Sequence, residues 1–305
     1  MANNDKWSPH LRQEDTSRTL RIVLIGKTGT GKSAVGNTLL GRNVFESKPS
    51  PTSITTNVQI AEEERFGKTL VVVDTPGFLD TNMDKGKLAE QLLLCTGLAC
   101  PGVHAFLLVF SLRQRYIEED QKAIEWMKKV FCENIMKHTI AVFTDKDVID
   151  RDGSSLNRYI SKMSAELRNT IKSCKGGRVC ISNIGDKREE AAELVINMVR
   201  KVVRVNGGEN QYFRTELFDE MTRKIDIRID QILAGNDTIL EKISKLEEEM
   251  TLLTGEDPRL QSKRRELEQR IEGLRKKLKN ECSARKEATS ETTCDVFTMF
   301  YTAIT

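Results

Sequence analysis

Three absences narrow the field before any motif is considered. No stretch of eighteen or more consecutive apolar residues occurs in the 305-residue chain, which excludes a helical membrane span by hydropathy. The seven cysteines, at 95, 100, 132, 174, 180, 282 and 294, are odd in number and never spaced C-x-x-C. They read as reduced cytosolic thiols, mostly packed, and not as a disulfide framework or zinc cage. The three histidines, His10, His104 and His138, have no metal-ligand spacing. An excess of charge of one sign is also lacking: a net charge of +3 is too small to argue for a nucleic-acid partner or an acidic substrate, and no nucleic acid is expected. The opening "MANNDKWSPHLRQEDTSR" lacks an apolar core, so an export signal is not expected and the reading is a cytoplasmic protein with a disordered tail over 1–18.

What is present begins at Leu20, where apolar strands alternate with amphipathic helices. The strand-like runs are "LRIVLIG", "KTLVVVDT", "HAFLLVFSL", "HTIAVFT" and "RVCIS". Another is expected near 55–62, antiparallel to "KTLVVVDT" across the turn "ERFGK". Helices are expected near 32–40, 84–98, 117–131, 154–174 and 186–204. Strand followed by helix, repeated, predicts an α/β domain with a mostly parallel sheet covered on both faces. After about Tyr212 strands cease. Ile232, Ile239, Ile243, Leu246, Met250 and Leu253 form a heptad stripe that stops at "TGEDP". Gly255 suits a helix C-terminus, Asp257 an N-cap and Pro258 a first turn; a second stripe follows through Leu260, Leu267, Ile271, Leu274 and Leu278. The expected division is a first domain over 19–230, a helical hairpin or coiled coil over 231–285, and a tail over 286–305. That tail is too short to span a bilayer. It either packs on the hairpin or, with the basic "RKKLK" nearby, touches a membrane peripherally.

The chemistry is concentrated in "RIVLIGKTGTGKSAVGNTLLG". Gly26-Lys27-Thr28-Gly29-Thr30-Gly31-Lys32-Ser33 spells G-x-x-x-x-G-K-S, and Ala34 continues into a helix. Glycines permit positive φ, so successive N–H groups can turn inward around an anion, and the helix dipole points at the same place. Lys32 can reach β- and γ-phosphates, and the Ser33 hydroxyl can ligate Mg²⁺.

Three further elements select the nucleotide. The strand "VVVD" ends in Asp74-Thr75-Pro76-Gly77, where Asp74 can hold a metal-bound water and Gly77 can approach the γ-phosphate through its backbone. The hydroxyl-rich "SPTSITTNV" offers Thr55 as the switch threonine on Mg²⁺, with Thr52 and Thr56 as alternatives. The strand "HTIAVFT" ends in Thr144-Asp145-Lys146-Asp147, and the Asp147 carboxylate can accept from the guanine ring N–H and exocyclic amine. Adenine has no such donor pair, which disfavours ATP. Asn183, at the end of "RVCISN", can meet the base edge through its amide or backbone.

With these stretches, "CPGVHAFLLVFSLRQRYIEEDQKAIEWMKKVF" and "SIT" at 53–55, the sequence resembles the immunity-associated GTPase (GIMAP) family over roughly residues 19–230. The family shares its G domain with plant avirulence-induced proteins. The resemblance implies a Ras-like sheet with a helical insertion, a GTP/GDP cycle with Mg²⁺ and a helical C-terminal extension. It also implies association through the nucleotide face in the GTP state, as a homodimer or oligomer or with other family members. It points to Arg115 as an arginine finger acting in trans, with Arg113 as the alternative. The chain departs from the family pattern before the base-reading Asp147, where family members often have a basic or aromatic residue and this chain has Asp145 and Lys146, and in a "SLRQRYIEED" segment one residue longer than usual. Phe78 stands where many small GTPases have a water-orienting Gln, so slow hydrolysis by a monomer is expected. Two functions remain open: a GTPase activated by dimerisation, and a nucleotide-switched scaffold with little turnover.

Overall fold

The computed structural model describes residues 18–47, 58–77, 91, 94–116, 121, 124, 125, 128, 131–208, 211–253, 258–277, 287 and 288. The described chain divides into two compact units, the first ending at Glu220 and the second beginning at Met221.

The first unit is built on six strands: β1 (Thr19–Gly26), β2 (Gln59–Arg65), β3 (Lys68–Asp74), β4 (Ala105–Ser111), β5 (Thr139–Thr144) and β6 (Arg178–Cys180). Their order is β2-β3-β1-β4-β5-β6. Only β2 runs antiparallel to its neighbour. A strand covered on both faces has no polar side to show, which is why β1 reads as a near-continuous apolar run and Leu20 to Ile25, apart from Arg21, are buried. One face packs on α1 (Lys32–Leu40) through Val35, Leu39 and Leu40, and on the later helix Lys187–Val205 through Val195, Ile196 and Val199. The opposite face is aromatic: Phe106 lies 5.3 Å from Phe213 and 5.9 Å from Phe131, centroid to centroid. Buried His104 belongs to this packing, its Nδ1 accepting from the Arg21 N–H at 3.0 Å.

Two local expectations change. The strand expected near 55–62 is β2, beginning at Gln59 and continuing through Glu62, Glu63 and Glu64. It runs on to Arg65, beyond the expected end, because β2 is an edge ordered by pairing to β3 across Phe66 and Gly67, both at positive φ, and not by an apolar pattern. The run expected as one helix over 154–174 is two, α3 (Leu156–Ser161) and α4 (Ala165–Ser173). The Ser164 hydroxyl accepts from the Leu167 N–H at 3.2 Å and starts a new helix there. Before them a short helix, α2 (Asp147–Arg151), starts directly after β5. The helix expected over 186–204 is α5 (Lys187–Val205). Those expected near 84–98 and 117–131 fall partly outside the described residues.

Helix α6 (Glu216–Leu252) leads into the second unit, where α7 (Pro258–Arg275) follows. Ile243, Leu267 and Ile271 of the two stripes are buried. Arg275 pairs with Glu247 at 2.9 Å and Lys263 with Glu249 at 3.3 Å, linking α7 to α6. No helix among the described residues is long and apolar enough to cross a membrane.

Candidate nucleotide site

Gly26, Asp74, Ser111 and Thr144 are the last residues of β1, β3, β4 and β5. Parallel pairing of these strands therefore carries four chemically distinct loops to one end of the sheet, the usual position of ligand sites in such folds.

The first loop is the glycine-rich turn into α1. Gly29 and Gly31 have φ of 77° and 87°, values that favour glycine. A Cβ on Gly26 would stand 2.5 Å from the Val109 carbonyl oxygen, so only glycine lets β1 leave the sheet beside β4. The turn is braced from within, Thr30 Oγ1 donating to the Lys27 carbonyl at 2.8 Å and Lys32 Nζ to the same carbonyl at 2.9 Å. Lys32 is buried, so its charge is directed along the loop and away from bulk water.

Beside it, Asp74 is fully buried at the end of β3. Ser33 Oγ donates to its Oδ2 at 2.6 Å. Oδ1 has no hydrogen-bond partner among the described residues. Burial raises the Asp74 pKa above the usual carboxylate range, while the Ser33 hydrogen bond, the Lys32 charge and the Thr75 backbone pull it back. A buried carboxylate with one open oxygen and an adjacent hydroxyl is a hard-oxygen donor set that fits Mg²⁺. Thr75 Oγ1 donates to the Leu24 carbonyl at 2.6 Å, fastening the turn through buried Gly77 to β1.

The third loop follows β5. Thr144 is buried, and its hydroxyl donates to the Thr30 carbonyl at 2.8 Å, with the Phe110 carbonyl at 3.3 Å. Thr144 thus ties the expected base loop to the phosphate loop. Asp147 opens α2 and is half exposed, its Oδ2 paired with Arg113 and, at 3.4 Å, with Arg151. Asp145 has φ 60° and accepts from Ser111 Oγ at 2.5 Å. Arg113 Nε lies 3.4 Å from Asp145 Oδ1.

Asn183 faces α1: its Oδ1 accepts from Thr38 Oγ1 at 3.0 Å. Two residues earlier, the Ile181 carbonyl accepts from the Lys146 N–H at 3.3 Å, joining this segment to the base loop. Arg115 is exposed, has no ion pair among the described residues, and lines a cavity of about 30 Å³ with Lys27, Thr30, Gln114 and Tyr116. Gln114 Nε2 also donates to the Thr28 carbonyl at 3.2 Å. Thr55, its alternatives Thr52 and Thr56, and Phe78 lie outside the described residues. Sequence reasoning named the ends of this site and missed its cross-links: the Thr144–Thr30 tether, the Ser111–Asp145 bond and the Arg113 bridge. Only the odd acidity of "TDKD" hinted at the last.

A family model described as AIG1 family matches residues 20–231. Immune-associated nucleotide-binding protein 9 of Arabidopsis thaliana is 32% identical over 224 residues, covering 71% of this chain and 63% of the relative. Immune-associated nucleotide-binding protein 7 of the same plant is 28% identical over 296 residues, covering 95% of this chain and 92% of the relative. GTPase IMAP family member 8 of Mus musculus is 35% identical over 185 residues, covering 59% of this chain and 26% of the relative. The chain therefore spans less than two thirds of the first of these relatives and about a quarter of the last. Among solved structures, one of the chloroplast translocon components atToc33 and psToc159 aligns with TM-score 0.51 at 21% identity, covering 62% of this chain and 84% of that one. The shared architecture is that of a P-loop G domain.

Proposed function

The chain belongs to the AIG1 family, and from that premise we propose that it binds GTP and GDP with Mg²⁺ and hydrolyses GTP, slowly as a monomer and faster as a GTP-bound dimer. The observation that carries this reading is the convergence of Lys32, the Ser33–Asp74 pair and Asp147 at one end of the parallel sheet. Lys32 and the backbone of Gly26 to Ala34 take the phosphates, and Asp147 reads guanine. Ser33, Thr55 and the buried Asp74 would hold Mg²⁺, which when bound neutralises charge on the β- and γ-oxygens. Thr144 keeps base loop and phosphate loop at a constant separation, so a nucleotide gripped at one end is positioned at the other.

Hydrolysis needs an oriented water and charge stabilisation on the transferring phosphoryl group. Phe78 cannot orient water through a hydrogen bond. Arg115, exposed and without an ion pair among the described residues, is the candidate to reach the nucleotide of a second subunit. Arg113 is engaged by Asp145 and Asp147 of its own chain. For atToc33 and psToc159, dimerization is important for the GTPase activity, and this chain is proposed to share that dependence, with itself or with other family members. The apolar Phe78 also favours the second reading, a scaffold switched by nucleotide that hardly turns over.

The test is direct. Nucleotide released from the purified protein is identified, and specific turnover is followed against protein concentration. The proposed GTPase gives guanine nucleotide and specific turnover that rises with concentration. Flat, negligible turnover with GTP-dependent assembly selects the scaffold. Equal affinity for ATP and GTP rejects both.

A further inference from the structure

Asp145 and Asp147 stand two residues apart at the mouth of the site, and both carry negative charge where an anionic ligand is expected. Three cations surround them. Lys146 is turned away, its Nζ 2.6 Å from Asp150. Arg151 touches Asp147 Oδ2 from the next turn of α2, at 3.4 Å. Arg113 arrives from the loop after β4 and reaches both acids, through Nε to Asp145 Oδ1 and through Nη2 to Asp147 Oδ2.

The bridge is anchored at its base as well as its tip. The Arg113 N–H donates to Ser111 Oγ at 3.1 Å, and that hydroxyl donates to Asp145 Oδ2 at 2.5 Å. Main chain and guanidinium of Arg113 therefore hold Asp145 from two sides. The pairing is also selective among oxygens: both arginines use Asp147 Oδ2, and no hydrogen bond from the described residues reaches Oδ1. A carboxylate oxygen has two lone pairs, so the two arginines fill Oδ2 while Oδ1 stays open, and Oδ2 takes a further donor only in place of the long Arg151 contact at 3.4 Å. The two acids raise the pKa of Arg113, Asp147 contributing most, and the guanidinium stays charged at every working pH.

We propose that Arg113 is a positioning residue for base recognition. It cancels the charge of Asp145 and turns Asp147 so that Oδ1 accepts the guanine ring N–H and Oδ2 the exocyclic amine, which displaces the 3.4 Å contact from Arg151. The proposal rests on the reading that Asp147 recognises guanine. It gives the loop after β4 a role in specificity within its own subunit, and it accounts for how an acidic residue is tolerated at position 145.

The experiment measures GDP, XDP and ADP binding by titration of the full chain, with thermal midpoints as a check on folding. Arg113→Ala is expected to weaken GDP binding about five-fold, the scale of a solvent-exposed charge pair, and more at low salt. Adding Asp145→Lys to Arg113→Ala is expected to restore most of that loss, since it removes one acid and returns a cation; general damage to the loop would not be rescued. In an Asp147→Asn background, XDP binding should be nearly indifferent to Arg113→Ala. Unchanged or tighter GDP binding by Arg113→Ala overturns the proposal and makes the arginine a competitor of the base. Absence of rescue overturns it too. Failure of the underlying reading has a separate signature: wild type binding ADP as tightly as GDP, or Asp147→Asn gaining no preference for XDP.

Discussion

The Ser33 hydroxyl donates to Asp74 Oδ2 at 2.6 Å, joining the first turn of α1 to the end of β3. The two residues are 41 positions apart in the chain, yet each satisfies a need of the other. Ser33 gives a buried carboxylate one of its few hydrogen bonds. Asp74 fixes the hydroxyl rotor at the point where a phosphate-bound cation is expected.

That relationship predicts a trade between stability and binding at Asp74. Burial dominates and raises its pKa from 3.8. The folded state therefore holds the proton more tightly than the unfolded chain, and stability without nucleotide falls as pH rises from about 3.8 through the raised folded value. Above that value the full penalty persists. Asp74→Asn should raise the melting midpoint of the nucleotide-free protein at neutral pH and flatten this pH dependence, while removing most of the Mg²⁺-dependent stabilisation by GTP. Thermal melts across pH, with and without nucleotide and Mg²⁺, measure both. A lower apo midpoint with the Mg²⁺ effect intact would contradict the assignment.

Ser33→Asn removes the hydroxyl donor and should favour GDP or empty protein over the GTP state. Affinities for GDP and a non-hydrolysable GTP analogue, with and without Mg²⁺, are the measurement. An unchanged analogue affinity and metal dependence would exclude Ser33 as a ligand.

Asp147→Ala should lose about tenfold to a hundredfold in GDP affinity, the scale of one or two charge-assisted hydrogen bonds. Asp147→Asn should move preference toward xanthine nucleotides, because the amide offers a donor to the altered ring. Competition titrations with GDP, XDP and ADP decide it.

Thr144→Val keeps the shape of a buried side chain and removes the hydroxyl that reaches the Thr30 carbonyl. A loss of about 1–3 kcal/mol in stability is expected from the unsatisfied carbonyl. Because the tether links two loops, nucleotide affinity should fall as well. Urea unfolding with GDP titration separates the two effects; unchanged affinity would make Thr144 purely structural.

Arg115→Ala should cut turnover by about 10³ or more at nearly constant GTP affinity, because a finger acts on transition-state charge. Mixed with Ser33→Asn, it should recover part of the hydrolysis if the finger acts in trans and mixed dimers form. No recovery with mixed dimers present would leave Arg115 acting in cis, beside the Lys27 and Thr30 it already neighbours, or merely structural. Full activity of Arg115→Ala alone would reject the role.

The sequence by itself determined what depends on near neighbours in the chain. Gly26 to Ser33 carries its own turn chemistry, because positive φ at Gly29 and Gly31 and the following helix are local matters. The apolar runs identified β1, β3, β4 and β5, because strands covered on both faces have no polar side to obscure the pattern. Where neighbours in space took over, the pattern was silent or misleading. The strand expected near 55–62 starts later and runs on through Glu63 to Arg65, because pairing to β3 extends it where the polar sequence does not. The hydrogen bond from Thr38 to the Asn183 amide oxygen links residues 145 positions apart, which no local pattern reveals. The Arg113 bridge exists because β4 and β5 pair with Ser111 opposite Thr144, which sets the two following loops side by side. A single-residue shift in that register would move Arg113 away from both acids, and register is a property of the assembled sheet, not of either strand alone.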